Sequence, residues 1–218
     1  MQPQFANQFL HWSDAYFMLQ GAINTIELAV VSCVLGTILG VILGWFRSIS
    51  IIVRVLTAPI IDVLRSVPMI IQLILANSAL SLVGFAASPF WFGSVALGLW
   101  MAAVTAEVTR DALGSVPFQY RLGARSLGMN YFQELCHISG PLSFRAGLPS
   151  WIGLVLSLIK DSSLAGVIGY VEFTRSAQML MIRTHETWLM LLGIGLFYFV
   201  ICYPVSKYSR QLESKVRI

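Results

Sequence analysis

The chain has 218 residues, 57% of them hydrophobic and 11% charged, with a mean hydropathy of +0.77 and a net charge of +4. Soluble domains carry about 25% charged residues. A globule this poor in charge could not cover its own surface, which excludes a water-soluble fold and makes lipid the solvent.

The first 46 residues contain no Lys or Arg. A cleaved signal peptide needs a basic stretch ahead of its apolar core, so the start of the chain is expected to stay attached and to face outward. The first apolar run is 24–46, in which Gly36, Gly40 and Gly44 recur at four-residue spacing, a flat stripe suited to close helix packing. Ser48 to Pro68 is apolar yet carries Arg54, Asp62 and Arg65. It reads as a helix at the inner interface, broken from the next apolar run by Pro59 and Pro68. Further runs of spanning length cover about 67–86, 92–112, 146–170 and 186–206. The expectation is an all-α integral membrane protein, a single domain over 1–218 with five spans.

Charge sets the orientation. With the N-terminus outside, the inner segments 47–66 and 113–145 and the tail from Lys207 hold ten Lys and Arg, whereas the outer segments hold only Arg175 and Arg183. This is the positive-inside pattern, and five spans put the C-terminus inside. Cys33, Cys136 and Cys202 are scattered without metal spacing or a pairing pattern and read as small apolar filler.

The longest polar interruption, 119–141 within the inner loop 113–145, holds two short amphipathic helices at 119–127 and 131–139. Gly128 suits a left-handed cap, Asn130 with Gln133 forms a capping box, and Pro141 ends the second helix. Tyr120, Ala124 and Leu127 share one face of the first helix, and Arg121 and Arg125 another. Such an elbow either rests on anionic headgroups or docks a soluble partner.

Charges inside spans are costly. Glu27 has no local partner, and is read as snorkelling, as bonded to a neighbouring helix, or as lining a pathway for a substrate ammonium. Glu107, Arg110 and Asp111 lie within one helical turn, able to neutralise one another or to line a path. Lys160, Asp161 and Ser162 interrupt the fourth span halfway, as a broken helix lining a cavity does, or as a helix that ends there. Asn77 is a weaker candidate of the same kind. The three lysines, Lys160, Lys207 and Lys215, lack the Gly-Lys-Ser/Thr setting of a phosphate loop, so this chain is not expected to hydrolyse ATP. His11, His137 and His185 are isolated, and neither a catalytic triad nor a metal site is expected.

The stretches AEVTRDALGSVP (Ala106–Pro117), GARSLGM (Gly123–Met129), Gly140-Pro141 and LIKDSSLAGVIGYVEFTRSAQ (Leu158–Gln178) resemble the permease subunits of binding-protein-dependent ABC transporters. The resemblance is to the polar amino acid group, of histidine and glutamine type. RSVPMIIQL (Arg65–Leu73) is similar to the family's R-G/S-x-P-L-x-x-Q segment, and Gly21 with Thr25 to its G-x-x-x-T lead-in. The resemblance implies a MetI-like, type I importer core of five helices with a periplasmic N-terminus and a cytoplasmic C-terminus, in a bacterial inner membrane. It also implies that the elbow is the ATPase-coupling loop, carried by Tyr120, Arg121, Leu122, Gly123, Ala124, Arg125, Leu127, Gly128 and Pro141. The family's E-A-A falls on Leu122, Gly123 and Ala124, so its acid is missing, a departure that fits a heterodimer.

Implied partners are membrane lipid, an ATP-binding cassette ATPase dimer, a second permease, an external substrate-binding protein and an amino-acid substrate, with no nucleic acid. No cofactor is expected on this chain, ATP and Mg belonging to the ATPase. The alternatives are a passive channel or ion-driven carrier, disfavoured by the absence of a filter motif, and a membrane-embedded enzyme, disfavoured by the missing catalytic constellation.

Overall fold

The computed structural model describes residues 11–82 and 88–216, and every regular element among them is helical. Helix α1 (Trp12–Ile49) is followed by α2 (Ile51–Ser66), α3 (Met69–Leu82), α4 (Pro89–Gly114), α5 (Phe118–Ser126) and α6 (Tyr131–Glu134). Helix α6 widens into a π turn (Leu135–Ser139) and runs on as α7 (Gly140–Asp161), which tightens into a 3-10 stretch (Ser162–Ile168). Helices α8 (Phe173–Thr184) and α9 (Thr187–Val216) follow.

Four described helical stretches are long and apolar enough to cross a membrane: Trp12–Ile49, Pro89–Gly114, Tyr131–Ile168 and Thr187–Leu212. Helices α2 and α3 qualify only together, as a pair bent by 109°. The run expected at 67–86 is α3 as far as residue 82, and positions 83–86 lie outside the described residues.

Helix α4 is the axis of the bundle. Its Phe92, Ala96, Leu97 and Met101 are buried among Leu28 of α1, Met69 and Leu73 of α3, Leu158 of α7 and Ala165 of the 3-10 stretch. Most of α9 and the outer face of α1 present large apolar side chains outward, as lipid-facing surfaces must. Lipid is as apolar as leucine, so helix association rests on close van der Waals contact. The glycine stripe of α1 supplies it, because Gly36, Gly40 and Gly44 are all buried along α4. A Cβ at Gly40 would stand 2.6 Å from Thr105 Cβ and 2.8 Å from the Ala102 carbonyl oxygen.

Four sequence expectations need correction. The first helix begins at Trp12 rather than at 24, adding three polar-flecked turns outside the apolar run. Residues 173–184, expected to be an outer loop, form α8. Pro59 lies inside α2 without breaking it, whereas Pro68 does stand at the bend. Pro141 does not end the elbow's second helix: it sits in the first turn of α7. There the π turn lengthens the ladder by one residue, so that Gly140 N–H donates to the Leu135 carbonyl. The donor that proline lacks falls at this change of register, and the rod continues.

Candidate functional site

The elbow is built from local chemistry. Helix α5 ends in a full Schellman closure: Gly128, at φ +79°, donates to the Arg125 carbonyl at 2.9 Å and Met129 to the Ala124 carbonyl at 3.1 Å. Asn130 and Gln133 then exchange two 2.9 Å hydrogen bonds, each side chain accepting from the other's backbone N–H, which opens α6.

Two ties hold the elbow to the bundle, and a third bond braces it internally. Arg121 Nη2 donates to the Leu113 carbonyl at 2.5 Å, and Trp45 Nε1 of α1 donates to the Tyr131 hydroxyl at 3.1 Å. Inside the joint Ser139 donates to the buried Glu134 carboxylate. Of the first helix's apolar face only Ala124 is packed inward: Tyr120 and Leu127 project, Leu127 being 80% exposed. Leu122, Gly123 and Arg125 are exposed as well, and Arg121 is half-buried. Cys136 is exposed on this elbow, so the filler reading suits only the half-buried Cys33 and Cys202.

The candidate pathway residues fall in separate places. Glu107 is engaged in ion pairs, with Arg47 Nη2 at 2.5 Å and Arg110 Nη2 at 2.8 Å. Arg110 also reaches its neighbour Asp111 at 2.6 Å. The partner in α1, Arg47, was beyond sequence reasoning because it lies 60 positions away. Glu27 is exposed on α1, and Asn77 is half-buried on α3, the helix that packs against the 3-10 stretch. Lys160, Asp161 and Ser162 lie where α7 passes into that stretch: Lys160 exposed, Asp161 half-buried, Ser162 buried. The hydroxyls of Ser162 and Ser163 donate to the Ile159 and Lys160 carbonyls, both at 2.7 Å, and so turn back onto their own helix.

At the opposite end from the elbow, the motif residues find structural work. Thr25 donates to the Gly21 carbonyl at 2.9 Å and accepts from the Phe173 N–H at 3.0 Å, while Asn24 Nδ2 donates to the Val171 carbonyl at 2.7 Å. Gly21 leaves room for Ser176, whose Oγ would lie 2.4 Å from an added Cβ. Glu172, fully buried, caps α8 by accepting from Thr174 N–H at 2.7 Å and Arg175 N–H at 2.6 Å. Burial pushes its carboxyl above the usual range, against the pull of these two N–H donors. At the 109° bend Gln72 Nε2 donates to the Leu64 and Val67 carbonyls, both at 2.8 Å, satisfying acceptors that the end of α2 leaves open. The signal for these roles was present in the G-x-x-x-T and R-S-x-P-x-x-x-Q patterns, although the patterns name no partner.

Apolar helices of spanning length with lipid-suited outer faces, and an amphipathic elbow at one end, define a multi-pass membrane protein. The chain belongs to the family of binding-protein-dependent transport system inner membrane components, whose family model matches residues 36–218. It is 28% identical over 207 residues to the arginine transport system permease protein ArtQ of Bacillus subtilis, covering 92% of this chain and 93% of that protein. It is 27% identical over 213 residues to the glutamine transport system permease protein GlnP of Escherichia coli K12, covering 95% and 96%. Among solved structures it superposes on an amino acid ABC transporter crystallised with histidines, with a TM-score of 0.83 and 25% identity over 92% of this chain and 94% of that one. The MetNI methionine ABC transporter, at 17% identity and a TM-score of 0.75 over 96% and 100%, shares the fold.

Proposed function

We propose that this chain is the membrane-spanning permease subunit of an ATP-driven importer that takes up a polar amino acid delivered by an external binding protein. The carrying observation is the family match together with full-length similarity to amino-acid permeases. Five spans are reached when the bent pair α2–α3 counts as one. The ten-to-two charge bias then supports an outside N-terminus, a cytoplasmic elbow and C-terminus, and residence in a bacterial inner membrane.

In this reading the projecting face of α5, with Tyr120, Leu122 and Leu127, seats in an ATPase subunit. A second permease completes the path. Lys160, Asp161 and Ser162, at the change from α-helix to 3-10 turn, line it together with Asn77, and Glu27 stands near its outer mouth. The ion-paired Glu107 serves chiefly to hold α1 on α4. ATP and Mg belong to the motor, and this chain performs no hydrolysis. Coupling requires that the elbow contact the motor differently in its two states, since only differential affinity shifts an equilibrium.

Purification of the tagged chain from its native membrane tests this. An ATPase should co-purify, and in vesicles the binding protein loaded with a polar amino acid should stimulate ATP hydrolysis. Transport by the purified chain alone, with no ATPase present, would sink the proposal and favour a passive or ion-driven carrier.

A further inference from the structure

Two cavities meet under the elbow. One, of about 510 Å³, is an apolar groove between α1, α4 and α7, walled by Val41, Trp45, Val108, Ala112, Phe144 and Trp151 among others. The other, of about 490 Å³, is polar and carries Arg47, Arg54, Arg110 and Arg121 with Asp111 and Glu134. Leu113 and Leu135 belong to the walls of both, so the groove and the basic cavity are neighbours that meet at these two side chains.

The charges of the polar cavity do not cancel. Glu107 and Asp111 are taken up by Arg47 and Arg110. Glu134 accepts from Ser139. Arg121 bonds a neutral carbonyl, and Arg54 is exposed at the rim. Four guanidiniums thus meet three carboxylates, counting Glu107. Two guanidinium nitrogens in this wall, Nε of Arg47 and Nε of Arg121, are buried without a hydrogen-bond partner among the described residues, and Arg47 is only 4% exposed. These two N–H groups are closed off and add positive potential to the wall, while the exposed guanidinium of Arg54 is placed to bond an anion directly.

We infer that this adjacent pair of cavities binds one anionic phospholipid, its phosphate in the arginine cavity and an acyl chain passing Leu113 and Leu135 into the groove beside α1 and α7. The two compartments match a phospholipid in order as well as in chemistry: charge at the elbow end of the bundle, where headgroups lie, and an apolar groove leading along the helices. The ligand would sit behind α5, on the side away from the projecting Leu127, and so leaves the proposed motor-docking face free. With the elbow cytoplasmic, as the importer reading has it, the lipid comes from the inner leaflet. Basic pockets between membrane helices on that side are suited to anionic headgroups.

The test uses the intact complex, extracted in mild detergent and stripped by repeated washing. Native mass spectrometry should show an anionic phospholipid retained on this subunit. Added phosphatidylglycerol vesicles should raise the thermal midpoint of the stripped complex, whereas phosphatidylcholine vesicles and inorganic phosphate should not. Val41→Trp, which blocks the groove at an exposed position, should abolish retention. Arg54→Gln with Arg121→Gln should weaken it by about fivefold per arginine, the typical worth of a basic residue at an anionic leaflet. Equal retention by wild type and both variants, or equal stabilisation by phosphatidylcholine, overturns the proposal. Stabilisation by phosphate alone overturns the lipid assignment in favour of a free anion. The retention readout does not depend on ATP hydrolysis, so its failure is distinguishable from failure of the importer reading.

Discussion

Arg47 of α1 and Glu107 of α4 form a 2.5 Å ion pair whose side chains are only 2% and 14% exposed, and Arg47 also donates to Thr57 of α2 at 2.5 Å. One cation therefore ties three helices at the elbow end of the bundle. Removing one member of a buried pair leaves the other uncompensated, a loss of about 3–5 kcal/mol when burial is complete. Here Arg110 still faces Glu107, so Arg47→Met should cost about 2–3 kcal/mol. Replacing both members by apolar residues, Arg47→Met with Glu107→Leu, should recover much of it. Thermal unfolding of the four members of the mutant cycle in detergent checks this, and strict additivity would show that the pair does not couple.

The glycine stripe makes a second prediction. Gly36→Ala, Gly40→Ala and Gly44→Ala each place a methyl group against a backbone carbonyl of α4, at 2.5–2.8 Å. Each should destabilise the bundle by about 1–3 kcal/mol, the usual range for overpacking. Gly153→Ala, with nothing within 4 Å of its added Cβ, should leave the midpoint unchanged or raise it. Midpoints measured side by side in one detergent decide the matter.

A third concerns pH. Burial raises the Glu172 carboxyl above its ordinary value, so the folded state holds that proton more tightly than the unfolded chain does. The resulting stabilisation is fully present below the unfolded value, about 4.3, and is lost as pH rises through the raised folded value. Glu172→Gln keeps one acceptor oxygen for either the Thr174 or the Arg175 N–H, so its midpoint should be lower overall, and it cannot titrate. The variant should therefore show a flatter dependence of thermal midpoint on pH above about 4.3 than the wild type. Parallel curves would mean that Glu172 is not the group responsible.

Gln72 carries a fourth. Gln72→Ala strips two hydrogen bonds from the bend between α2 and α3, at about 0.5–1.5 kcal/mol each. Amide exchange at 63–67 should quicken, while exchange in α4 stays as it was.

The fifth is functional. Leu127→Asp changes a side chain that is 80% exposed, so the fold should tolerate it. Loss of an apolar anchor from an interface costs about 1–2 kcal/mol or more. Co-purification of the ATPase should fall roughly tenfold with the thermal midpoint of this subunit unchanged. Undiminished co-purification would move the docking face elsewhere.

These residues also show how far sequence alone reaches. The Gly128 cap and the Asn130–Gln133 box were legible because their partners lie within a few positions, as was the packing role of the glycine stripe, a property of one helix face. The Arg47–Glu107 pair was not, since 60 positions separate its members and nothing local marks the partner. Helix α8 escaped because its sequence FTRSAQMLMIRT is too polar to read as a span. It is held by Thr25, Glu172 and the Asp14–Arg183 ion pair, most of them distant in sequence. Proline is a weaker breaker here than its chemistry suggests: Pro141 falls where a π turn changes the hydrogen-bond register, so the missing donor breaks nothing. The placement of Lys160, Asp161 and Ser162 at a change of helix type followed from two adjacent charges in an apolar run, a pattern that a simple span would not tolerate.

That uninterrupted passage through Pro141 has a mechanical consequence. Tyr131 and Ile168 are the two ends of one 38-residue helical stretch. Its near end carries half of the elbow, and its far portion carries Lys160, Asp161 and Ser162. At 1.5 Å per residue the α-helical equivalent is about 57 Å, more than the thickness of a bilayer. On the importer reading the stretch acts as a connecting rod, carrying a push or twist at Tyr131 towards Ser162 along one helix, with Pro149 as the point inside α7 where the ladder lacks a donor. One residue inserted between Gly140 and Asp161 would turn the far portion by about 100° relative to the elbow while leaving both ends chemically intact.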